Sequence, residues 1–165
     1  MQRYIGWAVA ILLATGAVAG CASGTVTGTV TRAGQPSAPL TMKWESGIFG
    51  ESGKISAVMP DGERFTGKYQ VVSKGMPWSY VDPAWTGAEQ EAVRGEIDSS
   101  MWGAAAENPD AFVNSHLNKA IATLKGDRGS TMMCRFNLDA GESGMGGGGT
   151  GECQTSKGAK IAAKF

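Results

Sequence analysis

The sequence predicts a mainly β fold: a small antiparallel sandwich or partly open barrel with a short helical insertion. Three observations carry that expectation. A strand, a glycine-containing turn and a second strand recur three times along the chain. Charged residues make up only 18% of it, too few for long solvated helices. Glycine fills 25 of the 165 positions, which suits tight turns and close strand crossings.

Residues 22–39 are rich in Gly, Thr, Ser and Pro. Within them Thr25-Val26-Thr27-Gly28-Thr29-Val30-Thr31 alternates with period two and reads as a first strand. Gln35-Pro36-Ser37-Ala38-Pro39 reads as tether or turn. In the next segment Leu40, Met42 and Trp44 share one face. The clearest hairpin follows. Lys54–Met59 leads into Pro60-Asp61-Gly62-Glu63, and Arg64–Val72 returns. Pro-Asp-Gly supplies the fixed φ and the positive φ that a tight turn needs. Gly67 sits between Phe65 and Tyr69 on one parity and marks a kink or a close crossing.

The second hairpin joins Ala120–Leu124 to Met132–Phe136 through Gly126-Asp127-Arg128-Gly129. The third joins Gly151–Thr155 to Lys160–Phe165 through Ser156-Lys157-Gly158. The recurrence is a weak internal repeat, read as shared hairpin geometry rather than duplication. With Leu40–Glu45 the count is about seven strands.

Met76–Ser115 differs in character. Met76 to Trp85 is aromatic and broken by Pro77 and Pro83. Thr86-Gly87-Ala88-Glu89 fits a capping box, with a short helix expected to run to Arg94 and stop at Gly95. Asn108-Pro109-Asp110 is a second helix start, with asparagine as cap and proline in the first turn. Phe112, Val113, Leu117, Ala120, Ile121 and Leu124 also fit one helical stripe reaching Gly126. That stripe competes with a strand over 119–125; the turn and partner strand that follow favour the strand.

The N-terminus has the order of a signal peptide: Arg3, an apolar run through Ala8–Ala14, then small residues. Val18-Ala19-Gly20-Cys21 resembles the lipobox of bacterial lipoproteins. The resemblance implies a signal peptide over 1–20 and acylation of Cys21. Cys21 then begins the mature chain, and the residues after it read as a flexible tether over 21–39 and a β-rich globular domain over 40–165, with its irregular or helical insertion at about 76–115. Ala17-Val18-Ala19 also fits an ordinary secretory cleavage site, so plain secretion is the alternative. Ala22 and Ser23 follow the cysteine, and the absence of aspartate there favours the outer membrane facing the periplasm in the lipoprotein pattern. With Cys21 acylated, Cys134 and Cys153 remain, and in an oxidising envelope they are expected to pair. Such a disulfide closes the Gly146–Gly149 loop and contributes roughly 3 kcal/mol. The alternative is a thiolate at one of them working with His116.

Thr123-Leu124-x-Gly126-Asp127-Arg128-Gly129-x-x-Met132-x-Cys134-x-Phe136 precedes Gly147-Gly148-Gly149-x-Gly151-x-Cys153 and then Gly158-x-x-Ile161-x-Ala163-x-Phe165. This C-terminal pattern resembles that of a group of small, uncharacterised proteobacterial lipoproteins. The resemblance covers 120–165 clearly and thins before 54. It implies an envelope location and a β-rich core, and it brings no reaction.

Several functions lack their parts. The first 20 residues hold one charged side chain, Arg3, so 14 of the 15 basic residues face 15 acidic ones after it. Nothing in that balance attracts nucleic acid. His116 is the sole histidine, and no C-x-x-C or H-x-x-x-H spacing exists to hold zinc. Gly146-x-Gly148-x-x-Gly151 matches a dinucleotide fingerprint in letters but opens no helix. Gly144–Gly149 has P-loop spacing without the lysine. Ser52 lacks the final glycine of G-x-S-x-G, and Glu45 with Glu51 is a carboxylate pair of a kind that chance readily supplies. No catalytic residue, metal or cofactor is expected. The candidate binding residues are aromatic: Trp78, Tyr80, Trp85 and Trp102 cluster in the middle segment. They would stack on sugar rings or fill a partner's pocket, or else cap one end of the core. The expected partners are the membrane, through the N-terminal lipid, and an envelope protein or glycan.

Overall fold

The computed structural model describes residues 22–48, 50–77 and 108–165. Eight antiparallel strands run in sequence order, β1 to β8, and β8 pairs back onto β1 to close the barrel. They are β1 (Ser23–Arg32), β2 (Gln35–Ser46), β3 (Ser52–Val58), β4 (Arg64–Val72), β5 (Lys119–Gly126), β6 (Thr131–Leu138), β7 (Gly149–Thr155) and β8 (Lys160–Lys164). β8 covers Thr27–Thr31 of β1, so no strand of the sheet is left as a free edge strand.

All three expected hairpins form, as β3–β4, β5–β6 and β7–β8. Their turns share one geometry. Met59 N donates to Glu63 O, Gly126 N to Ser130 O and Thr155 N to Ala159 O. Gly62, Gly129 and Gly158 then donate back to Met59, Gly126 and Thr155, at φ of 84°, 82° and 77°. A three-residue loop ending in a left-handed glycine is a standard way to join twisted antiparallel strands. The repeat read from the letters is therefore a repeated turn.

The expected tether over 21–39 is corrected by the structure from Ser23 onward. Ser23–Arg32 is β1, and Gln35–Pro39 is the first half of β2 rather than a turn. The strand count rises to eight. Pro36 and Pro39 are tolerated because β3 pairs only with Met42–Ser46, so this half of β2 has β1 as its sole partner.

The strand over 119–125 is observed as β5. A helix α1 spans Pro109–Ser115, and the Asn108 side chain accepts the Ala111 N–H at 3.0 Å, as its cap requires. The helical stripe does not continue, because the chain turns at Asn118, whose φ is 58°. The helix expected at 86–94 lies outside the described residues. Among the described residues no helix is long and apolar enough to cross a membrane.

The barrel interior is filled by apolar side chains. Three of the large aromatics face small residues on both neighbouring strands, and Trp44 does so on one side, with Ile55 on the other. Trp44 is opposite Gly24, Phe65 lies between Ala57 and Gly126, Tyr69 between Gly53 and Ala122, and Phe136 between Ala120 and Gly151. An eight-stranded barrel has room for one layer of side chains, so each ring takes the space its neighbours vacate. A Cβ on Gly151 would strike the Phe136 ring, and one on Gly24 would approach Trp44 within 2.8 Å. Most outward positions of β1 to β4 are polar, among them Thr25, Thr27, Thr29, Lys43, Glu45, Lys54, Thr66 and Lys68, with Val58 at the end of β3 an exposed apolar exception. That exterior suits water rather than hydrocarbon.

Candidate functional site

The two ends of the barrel differ. Among the described residues one end carries only tight turns: 33–34, 59–63, 127–130 and 156–159. The other carries the start of β1, the 47–51 loop, the long β4–β5 connection, the 139–148 link and the C-terminus. Binding residues concentrate on loops held by a rigid scaffold, so the loop end is the candidate site.

The turn end is closed by polar contacts. Glu63 follows the glycine of its turn and is 2% exposed. Its carboxylate accepts from Lys157 Nζ at 2.9 Å and from Ser130 N at 3.3 Å, which ties three turns together. Burial opposes its charge, but hydrogen bonding from Ser130 and Lys157 outweighs it and holds the carboxyl below the usual glutamate range. Asp61 accepts the Glu63 N–H, which lowers its carboxyl too, and Arg32 pairs with it at 3.3 Å. Arg128 donates to Asp61 O, and Asp127 accepts from Arg64 N. Parity alone could have flagged Glu63, because it stands two residues before the inward Phe65. These charges are satisfied by one another, so this end reads as a structural seal.

Among the described residues, two depressions at the loop end bear on the site. One of about 250 Å³ lies between Glu51, Val72, Lys74, Asn118, Glu142 and Gly144. The link there, Gly141–Gly147, is 3-10 helix broken at Gly144, whose backbone packs against Gly50 O. Glycine at 144 is required by both its φ of 54° and that approach. The link therefore spans from β6 to β7 and opens no helix, as the failed dinucleotide fingerprint implies. The other depression, a groove of about 540 Å³, runs over the outward row Ser23, Glu45, Lys54 and Lys68. Lys54 stands directly opposite Lys68 across β3 and β4.

Cys134 and Cys153 form a disulfide inside the barrel, paired across β6 and β7 with Cα atoms 4.1 Å apart. Both are buried, and neither is a thiolate nucleophile. His116 stacks on Phe112 with centroids 3.9 Å apart, and its Nδ1–H donates to Phe112 O. Burial pushes its pKa below the ordinary histidine range. The bond to Phe112 opposes that shift, and the charges of Lys119 and Arg135 add to it. Its position at the end of α1, stacked and 5% exposed, makes it a packing residue. Among the described residues no three His, Cys, Asp or Glu side chains group as metal ligands.

Cys21 and the aromatic candidates Trp78, Tyr80, Trp85 and Trp102 lie outside the described residues. The segment that carries those aromatics leaves β4 and returns to β5 at the loop end. The Lys54–Lys68 juxtaposition was missed by sequence reasoning, because cross-strand register is not written in either strand. No protein-family model, curated protein or solved structure matches the chain.

Proposed function

We propose that this protein is a lipid-anchored component of the bacterial cell envelope, held at the outer membrane on its periplasmic side, with a non-catalytic binding or structural role. One observation carries the reading. The disulfide takes up Cys134 and Cys153 within the core, so the remaining cysteine of the chain is Cys21, at the lipobox position. Disulfides persist in oxidising compartments, which favours export. The polar exterior of β1–β4 and the filled interior favour a water-facing scaffold that works through its loop end.

Replacing Cys21 tests the anchor. Cys21→Ser is expected to leave the membrane fraction, and the intact mass of the wild-type mature chain is expected to include a thioether-linked lipid on Cys21. A wild-type chain that begins elsewhere, or a variant that stays membrane-bound, overturns the reading.

A glycan-binding or glycan-modifying module is the competing proposal. It is favoured by the aromatic segment joining the barrel at the loop end. Titration of peptidoglycan or lipopolysaccharide fragments against tryptophan fluorescence separates the two. A saturable change supports glycan recognition, and a flat response at millimolar ligand dismisses it.

A further inference from the structure

If Cys21 carries a lipid, the place where it meets the barrel decides which surface faces the bilayer. Ala22 is the only residue between Cys21 and β1. Its carbonyl is fixed by two hydrogen bonds from the end of β2, from Ser46 N at 2.7 Å and Ser46 Oγ at 3.0 Å. Consecutive Cα atoms are about 3.8 Å apart, so the sulfur bearing the lipid stays within one side chain of the barrel rim. A tether of the expected length, 21–39, would have let the domain tumble freely; its absorption into β1 and β2 removes that freedom.

Two further features stand at the same corner. Ile48 follows Ser46 by two residues and is 85% exposed, the most exposed large apolar side chain among those described. Exposed apolar side chains occur singly on most surfaces, so Ile48 alone would mean little. Beside it, the groove over Ser23 and Glu45 ends on Lys54 and Lys68. Lys54 has Glu45 opposite it on β2 and Lys68 opposite it on β4, while Lys68 has Thr123 on its other side, so the unbalanced positive charge of the row sits at Lys68. Like charges directly opposite in an antiparallel pair destabilise the sheet. Neither lysine has an ion pair among the described residues. An anion placed between them would turn that repulsion into attraction, and lysine stems are long enough to reach a headgroup phosphate while the backbone stays in water.

We infer that the β1–β3 corner of the loop end is a membrane-docking surface: Ile48 enters the headgroup layer, and Lys54 with Lys68 takes the phosphate of an anionic phospholipid. The inference rests on the lipid-anchor reading and adds an orientation to it. The tight-turn end then points away from the bilayer by the height of the barrel. With ten residues in β1 and strands tilted by about 40°, that height is about 20–25 Å.

The test uses full-length mature protein purified with its lipid and reconstituted into phosphatidylcholine vesicles containing one-fifth phosphatidylglycerol. With Cys21 acylated and the other two cysteines joined, a cysteine introduced by Ile48→Cys or Ala33→Cys is the only free thiol and takes a polarity-sensitive fluorophore. Ala33 is exposed in the opposite, tight-turn end. Quenching by headgroup-spin-labelled lipid is expected to be severalfold stronger at 48 than at 33. Lys54→Glu with Lys68→Glu is expected to reduce quenching at 48 while the protein still floats with the vesicles. Equal quenching at both sites in protein that floats overturns the docking surface and leaves the anchor standing. Protein that does not float overturns the anchor, and the orientation with it. Quenching at 48 that ignores the charge reversal overturns the role of the two lysines. A concentration-dependent signal at 48 without lipid quenching assigns the corner to a second copy of the chain, which also overturns the proposal.

Discussion

The Glu63 carboxylate accepts a hydrogen bond of 2.9 Å from the ammonium of Lys157, 94 residues further along the chain, and is itself buried beneath the tight turns. The pair staples the β3–β4 turn to the β7–β8 turn, and Ser130 N brings in the β5–β6 turn. Lys157 is half exposed, so the pair is partly screened by solvent.

Glu63→Gln is expected to destabilise the barrel by about 1–3 kcal/mol, because a buried charged hydrogen-bond partner is replaced by a neutral one. The pH dependence follows in sign. The folded carboxyl is held below its ordinary value of 4.5, so its contribution is present above that value and is lost as pH falls through the lower, folded one. Urea unfolding between neutral pH and about pH 3 is expected to show a shallower acid decline for Glu63→Gln than for wild type. Parallel declines would show that other carboxylates, Asp61 among them, carry the acid sensitivity.

The disulfide is expected to be inaccessible in the folded barrel. Cys134 and Cys153 are 0% and 1% exposed, so a reductant reaches them only when the strands open. Alkylation after mild reduction is expected to label neither cysteine in native protein and both in denaturant. Cys134→Ala with Cys153→Ala is expected to cost about 3 kcal/mol by the chain-entropy argument for a 19-residue separation. Labelling under native conditions would place the bond outside the core.

Gly151→Ala is expected to destabilise by about 1–3 kcal/mol, because the added methyl meets the Phe136 ring in a filled interior. Phe136→Leu is expected to be destabilising alone and to suppress part of the Gly151→Ala cost when the two are combined. A thermodynamic cycle over the four proteins measures the coupling. Additive costs would mean the two positions do not share that space.

Tyr69 is inside the barrel, and among the described residues its hydroxyl has no hydrogen-bond partner. Burial alone raises its pKa. Removing an unpaired buried hydroxyl recovers its desolvation cost, so Tyr69→Phe is expected to be stabilising by about 1 kcal/mol. Thermal unfolding checks this directly: a lower midpoint would indicate that the hydroxyl is satisfied in solution, by an ordered water for example.

The three hairpins were legible because their information is local. Pro-Asp-Gly-Glu, Asp-Arg-Gly-Ser and Ser-Lys-Gly-Ala each write a left-handed glycine at one offset, and alternation around them writes which side chains point inward. The cap of α1 was legible for the same reason, since Asn108 acts on a residue three positions away. The proline-bearing start of β2 was not. Pro36 and Pro39 argue locally against a strand, and only the absence of β3 alongside that half of β2 makes them harmless.

The candidate site divides in the same way. Pairing of Cys134 with Cys153 could be argued from the sequence by counting cysteines, whereas its position in the barrel interior depends on register across β6 and β7. Lys54 opposite Lys68, and Glu63 beneath Lys157, are meetings between segments that share no local pattern.

By itself the sequence determined where strands turn, which faces are apolar and which cysteines are available to join. Only the tertiary structure decided that β8 returns to β1, with Val30 opposite Ile161, and that the segment after Ala22 is wall rather than leash. The physical reason is range. Turn chemistry and alternation act over two to five residues, while closure depends on pairing energies between segments more than a hundred residues apart, which no local pattern encodes.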